Sequence, residues 1–435
     1  MKNIIGIIFI FCVANLSAQT AGIRIPQIPV PEVKMPQVPN PYNHQFNKQQ
    51  PNMYSHGEIK HNVQQSEAII NEMYEMMQRR EAIKILIEKG FMPQSDLDPK
   101  GTGYFYAAFD EINAMLKGEK PLSLERTVFL VENAFYGNSL NYSEYQNFIS
   151  HKVQICNRKI KEEKLNGNDN LIKNMMLFRL ISDTLQFKNF AIESAQIHLP
   201  VKYDYDDYNS KISYDSHFVT KLMRSGIGQC HSIPLYYLIL AEAVDAEAYW
   251  SFSPRHSFIK IQDKQGAWYN LELTCSAILS DAHYMNSGYI KAEAIRNGLY
   301  LEPMDKQQVI AEMLIDLAKH YHERFGLDDF YLKCADTAAK YLSCDINAIM
   351  LKAIYQESLT LYLAELMEAK TPEIMQQKSP EAYNHYIKMQ KLYRQIDDLG
   401  YEQFPDELYM TWLNYVAQQK AKAEQQKTFL MNEIK

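Results

Sequence analysis

The segment Ser225-Gly-Ile-Gly-Gln-Cys230-His-Ser-Ile-Pro234 places a cysteine between a glycine-rich turn and an apolar run from Ile233 to Val244. If that run is a helix, the unpaired N–H groups and the positive dipole end at its start favour thiolate over thiol at Cys230. Gly226 and Gly228 let the backbone turn closely enough to leave amide donors beside the sulfur, around Gly228 and Gln229, where an oxyanion would develop. Pro234 cannot donate within the helical ladder, so the first turn is irregular or the helix starts slightly after Cys230. The sulfur also needs a base. His256, at the start of a strand-like run after Ser253-Pro254-Arg255, is the better candidate. His231 adjoins the cysteine, and consecutive helix residues point about 100° apart.

A base in turn needs an orienter to fix its tautomer and stabilise the imidazolium. Two strand-like runs flank Lys264-Gln265-Gly266, which fits a three-residue hairpin loop with Gly266 left-handed. Setting Asp263 opposite Ala267 puts Phe258 opposite Glu272. His256 and Glu272 are then diagonal neighbours on one face, roughly 5–7 Å apart at the β-carbons. Asn270 points to that face as a reserve orienter. A slip of one residue would separate the histidine from the glutamate. Each residue also has a plainer explanation. A cysteine before an apolar helix is commonly a small buried hydrophobe, and a strand histidine a surface polar group; the combination favours catalytic geometry.

Other clusters are weaker. Cys275 lies close after Glu272 and could approach Cys230 as a redox lock, although core packing is the simpler reading. Asp281, His283 and Tyr284 could contact a substrate or belong to a solvated turn. His217, His231, His256 and His283 lack compact metal-ligand spacing, and no HExxH or paired CxxC occurs, so no metal or other cofactor is expected. The run 203–210 carries Asp204, Asp206 and Asp207 without calcium-loop spacing, and reads as a solvated loop.

These residues need elements to hold them. Helical periodicity covers about 64–88, 103–117, 123–136, 142–160, 170–186 and 215–225. The run 233–244 is apolar on nearly all faces, as in a central buried helix. Strand patterns follow at 247–252, 256–263 and 267–273. Helices return at 306–324, 328–341, 345–365, 380–397 and 405–428. The expected class is α+β: a small antiparallel sheet on a central helix, with extensive helical N- and C-terminal regions. Pairs of medium helices are compatible with tetratricopeptide-like hairpins, but no clean 34-residue period is present.

Residues 1–18 read as a signal peptide, with Lys2, an apolar run from Ile4 to Val13, and Ser17-Ala18 before the cut. Residues 19–57 are a proline-rich extended tether. The remainder divides into a helical region 58–200, a core 201–304 and a helical region 305–435. The expected location is therefore exported, periplasmic or extracellular. No later stretch is apolar enough to span a membrane. Of 435 residues, 46% are hydrophobic and 22% charged, with a net charge of -7, so nothing suggests nucleic-acid binding. After the signal, Cys156, Cys230, Cys275, Cys334 and Cys344 remain. An odd count flags a free thiol, and Cys334 with Cys344 are either bridged or simply buried.

Gly228-Gln-Cys230 heading a helix, His256 opening a strand and Trp268-Tyr-Asn-Leu-Glu272 together resemble the core of the transglutaminase-like superfamily, over roughly residues 203–290. The resemblance implies a papain-like fold and a catalytic triad of Cys230, His256 and Glu272, with Trp268 as a marker beside it. Aspartate is more usual at the acid position, and glutamate requires a shifted strand or a tilted imidazole. The wider run from Tyr205 to Tyr300 looks like a group of uncharacterised exported bacterial proteins whose core precedes helical repeats. Superfamily members include peptidases, deamidating enzymes and glycoprotein amidases, and others have lost activity. The implied function is amide-bond hydrolysis on a protein, peptide or glycoconjugate through a thioester. The alternative is a peptide- or glycan-binding scaffold with a degenerate site.

Overall fold

The computed structural model describes residues 101–187, 196–286, 290–342, 344, 346–405, 407–415 and 417–418, with isolated positions between 69 and 84. The expected signal (1–18) and tether (19–57) lie outside these residues, as does most of the helix expected at 64–88. The chain divides into two compact units. Among the described residues from 101 onward, one takes in those of 101–355 and 391–418, and the other those of 356–390.

The first unit opens with helices α1 (Thr102–Leu116), α2 (Leu124–Phe135), α3 (Tyr142–Glu162) and α4 (Asn170–Ser182). Side chains stop three of them from fraying. Ser123, Asn141 and Asp169 accept hydrogen bonds from first-turn N–H groups of α2, α3 and α4, satisfying donors that a helix start leaves open. The chain does not continue helically to 186, as periodicity suggested. Asp183 is already extended, and β1 (Leu185–Phe187) pairs antiparallel with β2 (Gln196–His198). This pairing partner was not visible in so short a run.

After β3 (Lys202–Tyr203) come a 3-10 turn at Tyr214–His217 and helix α5 (Val219–Ser225). The buried Glu132 carboxylate of α2 accepts from the N–H groups of Val219 and Thr220, capping α5. Burial and these bonds act against each other, and burial prevails, raising the Glu132 carboxyl to about 7. Gly226 ends α5 in the left-handed region at φ 70°, a conformation that carries no penalty in glycine. The next residues, β4 (Ile227–Gly228), pair in parallel with β3.

Helix α6 (Ser232–Ala243) is the apolar run, and every residue from Ser232 to Ala241 is buried. It packs on α2–α5 and on the sheet. Pro234 occupies its first turn, where a missing N–H costs nothing. The sheet is antiparallel in the order β5 (Tyr249–Ser253), β6 (His256–Gln262), β7 (Trp268–Glu272), β8 (Ala277–Leu279). This is an α+β chain with a small antiparallel sheet on a central helix.

Short helices α7 (Asp281–Met285) and α8 (Ala292–Arg296) lead into α9 (Lys306–Phe325), which begins with an Asp305–Gln308 capping box, and then α10 (Asp329–Ala338). Helix α11 (Ile346–Leu366) runs from the first unit into the second. The second unit contains α12 (Pro372–Lys378), which the sequence reading missed, and the start of α13 (Pro380–Asp398). Thr371 caps α12, and Lys378 Nζ donates to the Met367 carbonyl at 2.6 Å. Beyond α13 the chain is helical again over 407–415. No helix among the described residues is long and apolar enough to cross a membrane.

Candidate active site

Cys230 sits two residues before α6, in the turn that links it to β4. Gly228 is required by close packing: a β-carbon there would lie 2.5 Å from Leu222 Cδ1 and 2.9 Å from Ser232 Oγ. Its neighbour Gln229 is fully buried and committed to structure. Its N–H donates to Ser232 Oγ at 3.0 Å, its side-chain amide donates to the Asp207 carbonyl, and its Oε1 accepts from Ser210 Oγ at 3.1 Å. The backbone donor expected at Gln229 is therefore spent on the helix start. Gly228 and Gln229 act as scaffold for the cysteine.

The β6–β7 hairpin has the register expected from the loop residues. Asp263 N–H donates to the Ala267 carbonyl at 3.0 Å, and Gly266 is left-handed at φ 86°. Lys260 lies opposite Asn270 and Ile259 opposite Leu271, which carries Phe258 to the position facing Glu272. His256 and Glu272 consequently share a face, and His256 Nε2 lies 2.7 Å from Glu272 Oε2.

Glu272 is held on all sides. Besides the imidazole it accepts from Thr274 N–H at 2.9 Å and from the Tyr284 hydroxyl at 2.9 Å. Burial opposes its charge, but the field and hydrogen bond of His256 and the Thr274 donor hold its carboxyl below the usual range. His256 moves the other way. Burial disfavours the imidazolium, yet Glu272 and the Cys230 sulfur together raise the imidazole to about 10. With Nε2 on Glu272, Nδ1 is the nitrogen available to the thiol; it is buried without a hydrogen bond of ordinary geometry. Ser257, next to His256, donates through its hydroxyl to the Cys230 carbonyl, tying the strand to the cysteine turn.

The sulfur lies 3.9 Å from the Arg255 carbonyl oxygen and 4.0 Å from the Tyr409 hydroxyl. The Trp412 ring stands edge-on to His256, with centroids 4.9 Å apart. Cys230, His256 and Glu272 are 4%, 2% and 1% exposed.

Two expected positions fall outside this constellation. Asn270 is buried on the same face, but its amide donates to Asp281 Oδ1 at 2.8 Å, so it does not orient the histidine. Trp268 lies opposite Gln262 at the far end of β6 from His256, is 41% exposed, and packs against Tyr249. Conversely, Tyr284 was seen in sequence only as a substrate contact or turn residue, whereas its hydroxyl supports the acid and its ring stacks on Phe258 at 4.1 Å. Tyr409 and Trp412 gave no sequence signal.

The loop 203–210 also differs from a solvated one. Asp207 is buried, and its carboxylate accepts from Ile212 N–H, Ser213 N–H and Ser216 Oγ at 2.8, 3.0 and 2.6 Å. Behind Cys230, histidines dispersed in sequence gather. His231 Nε2 lies 2.8 Å from Asp316 Oδ2, and His217 Nε2 lies 3.3 Å from His320 Nε2. No group of three or more His, Cys, Asp or Glu among the described residues has the geometry to hold a metal ion. The described cysteines, Cys156, Cys230, Cys275, Cys334 and Cys344, are all free thiols.

Burial, together with nearby cations, keeps His217 well below the usual imidazole range and His320 at about 3. Both shifts are downward, so their contribution is present above the unfolded value of about 6.5 and is lost as pH falls below it. His320→Gln should therefore lose less stability between pH 7 and pH 5 than the wild type, by about 2 kcal/mol. Urea unfolding at the two pH values checks this, and equal losses would contradict it.

Comparison with protein-family models, curated proteins and solved structures finds no match for this chain.

Proposed function

We propose that the chain is a cysteine-dependent amide hydrolase with a papain-like arrangement, in which Cys230 is the nucleophile, His256 the base and Glu272 the orienter. The observation that carries this reading is the buried His256–Glu272 contact of 2.7 Å on the strand whose Ser257 hydroxyl donates to the Cys230 carbonyl. The order of motif residues shared with the transglutaminase-like superfamily supports it independently.

In the proposed reaction His256 takes the Cys230 proton, and the thiolate attacks an amide carbonyl. The dipole end of α6 favours the negative charge that develops there. The imidazolium protonates the departing amine as the C–N bond breaks, leaving a thioester. Water, deprotonated by His256, then releases the acid and restores the thiol. An amine in place of water would give transfer. Substrates of this chemistry are proteins, peptides or glycoconjugates; ammonia release identifies a deamidase and new amino termini a peptidase.

A binding scaffold with a degenerate site accounts less well for this geometry. A buried charged pair gives little net stability compared with apolar residues of similar volume, and strongly shifted groups cluster at reactive sites. The test is the rate of iodoacetamide alkylation at Cys230 as a function of pH, located by mass spectrometry and absent in Cys230→Ser. A midpoint below about pH 7 is expected for a His-paired thiolate. A midpoint at or above about 8.5, the range of an ordinary thiol, would defeat the proposal.

A further inference from the structure

The pair Cys230–His256 is covered by the chain's own C-terminal segment. The Tyr409 hydroxyl stands 4.0 Å from the sulfur and Trp412 abuts the imidazole. The two rings stack on each other, with centroids 5.6 Å apart. Tyr208 packs on Tyr409 from the other side at 5.7 Å. An acyl carbon must come within roughly 3–3.5 Å of the attacking sulfur, and that approach is occupied by the tyrosine.

The cover is fastened differently at its two ends. Upstream it is clamped: Asn297 Nδ2 donates to the carbonyls of Asp398 and Leu399 at 3.2 and 3.3 Å. Gly400 is left-handed at φ 83° and sits where a β-carbon would lie 2.6 Å from Ala294 N. Over the site Arg255 reaches the segment at two points. Its guanidinium lies over the Tyr409 ring at 4.7 Å, and Nη1 donates to the Phe404 carbonyl at 3.3 Å. A segment clamped at one end can open locally about that point without general unfolding.

We infer that residues 401–415 form an autoinhibitory plug, and that opening about Gly400 governs access to the thiol. The inference rests on Cys230 and His256 being the reactive pair proposed above. In the closed form no electrophile reaches the sulfur, so the observed reaction rate is the intrinsic rate scaled by the open fraction.

The test measures Cys230 alkylation by iodoacetamide in the full chain from pH 5 to 9. It compares wild type, Arg255→Asn and the double variant Tyr409→Ala/Trp412→Ala. Asparagine tolerates the φ of 57° at position 255, while removing the cation–π contact and the Nη1 hydrogen bond and no buried side chain. Each variant should react at least about tenfold faster than wild type with an unchanged pH midpoint, Arg255→Asn through loss of one cation–π contact and one charged hydrogen bond and the double variant through loss of the covering rings. Rates within twofold of wild type, in variants with native circular dichroism and cooperative melting, would overturn the plug. Hydrogen exchange on the unmodified chain gives a second reading: amides of 407–415 should exchange ahead of those in α6, and equal protection would overturn it. The rate tests the plug and the midpoint tests the ion pair, so failure of one is distinct from failure of the other.

Discussion

Replacing Glu272 by alanine is expected to destabilise the protein by about 3–5 kcal/mol at neutral pH, because it strands a buried imidazolium without its counter-charge. Glu272 and His256 are both nearly inaccessible, so water cannot take over the carboxylate's role. The Thr274 N–H and Tyr284 hydroxyl would lose their acceptor as well. The effect has a definite pH signature. The folded-state value of His256 is raised, so its contribution is complete below the unfolded value of about 6.5 and is lost as pH climbs through about 10. Glu272 is shifted downward, and its contribution is lost as pH falls below the ordinary 4.5. Urea unfolding of both proteins should therefore show a gap that narrows between pH 7 and pH 10. A gap under about 1 kcal/mol at pH 7, the size of an exposed pair, would mean that the imidazole is not charged in the folded chain.

The second large effect is on the thiol. His256→Ala should move the alkylation midpoint of Cys230 upward by at least about 1.5 pH units, from the His-paired range to that of an isolated thiol. It removes the β6 imidazole whose charge is coupled to the Cys230 sulfur. The end of the α6 dipole remains and contributes only about 0.3–1 kcal/mol, less than one unit; His231, paired with Asp316 beside the cysteine, remains as well. An unshifted midpoint would mean that the helix start and His231 activate the cysteine and that His256 has a structural role. Adding imidazole to His256→Ala should restore part of the rate in a properly folded protein.

The core of this site could be read from short-range sequence signals. Gly266 and the alternation on either side of it fix the β6–β7 register, and that register by itself brings Glu272 to His256. The apolar run after Pro234 likewise reads as a buried helix, because no face of it is polar. What could not be read depends on contacts between distant segments. Tyr409 meets Cys230 across 179 positions, and no period or spacing connects them. His217, His231 and His320 are brought together by the packing of α9 near the cysteine turn, and as isolated histidines they looked unremarkable in sequence. Asp207 was misread for a related reason: three local donors satisfy its carboxylate, so an acidic, turn-rich stretch is buried that composition assigns to solvent. Trp268 shows the reverse error, since proximity in a motif placed it beside the triad while strand geometry sends it to the far end of the hairpin.

The anchoring of Gln229 has a wider consequence. Its side-chain amide is stitched to the main chain at Asp207 and to Ser210, and Asp207 in turn folds the stretch 212–216 around its own carboxylate. Cys230 is therefore held by a small buried polar keystone one residue away from it. Damage to that keystone would displace the sulfur relative to His256 while leaving both side chains intact.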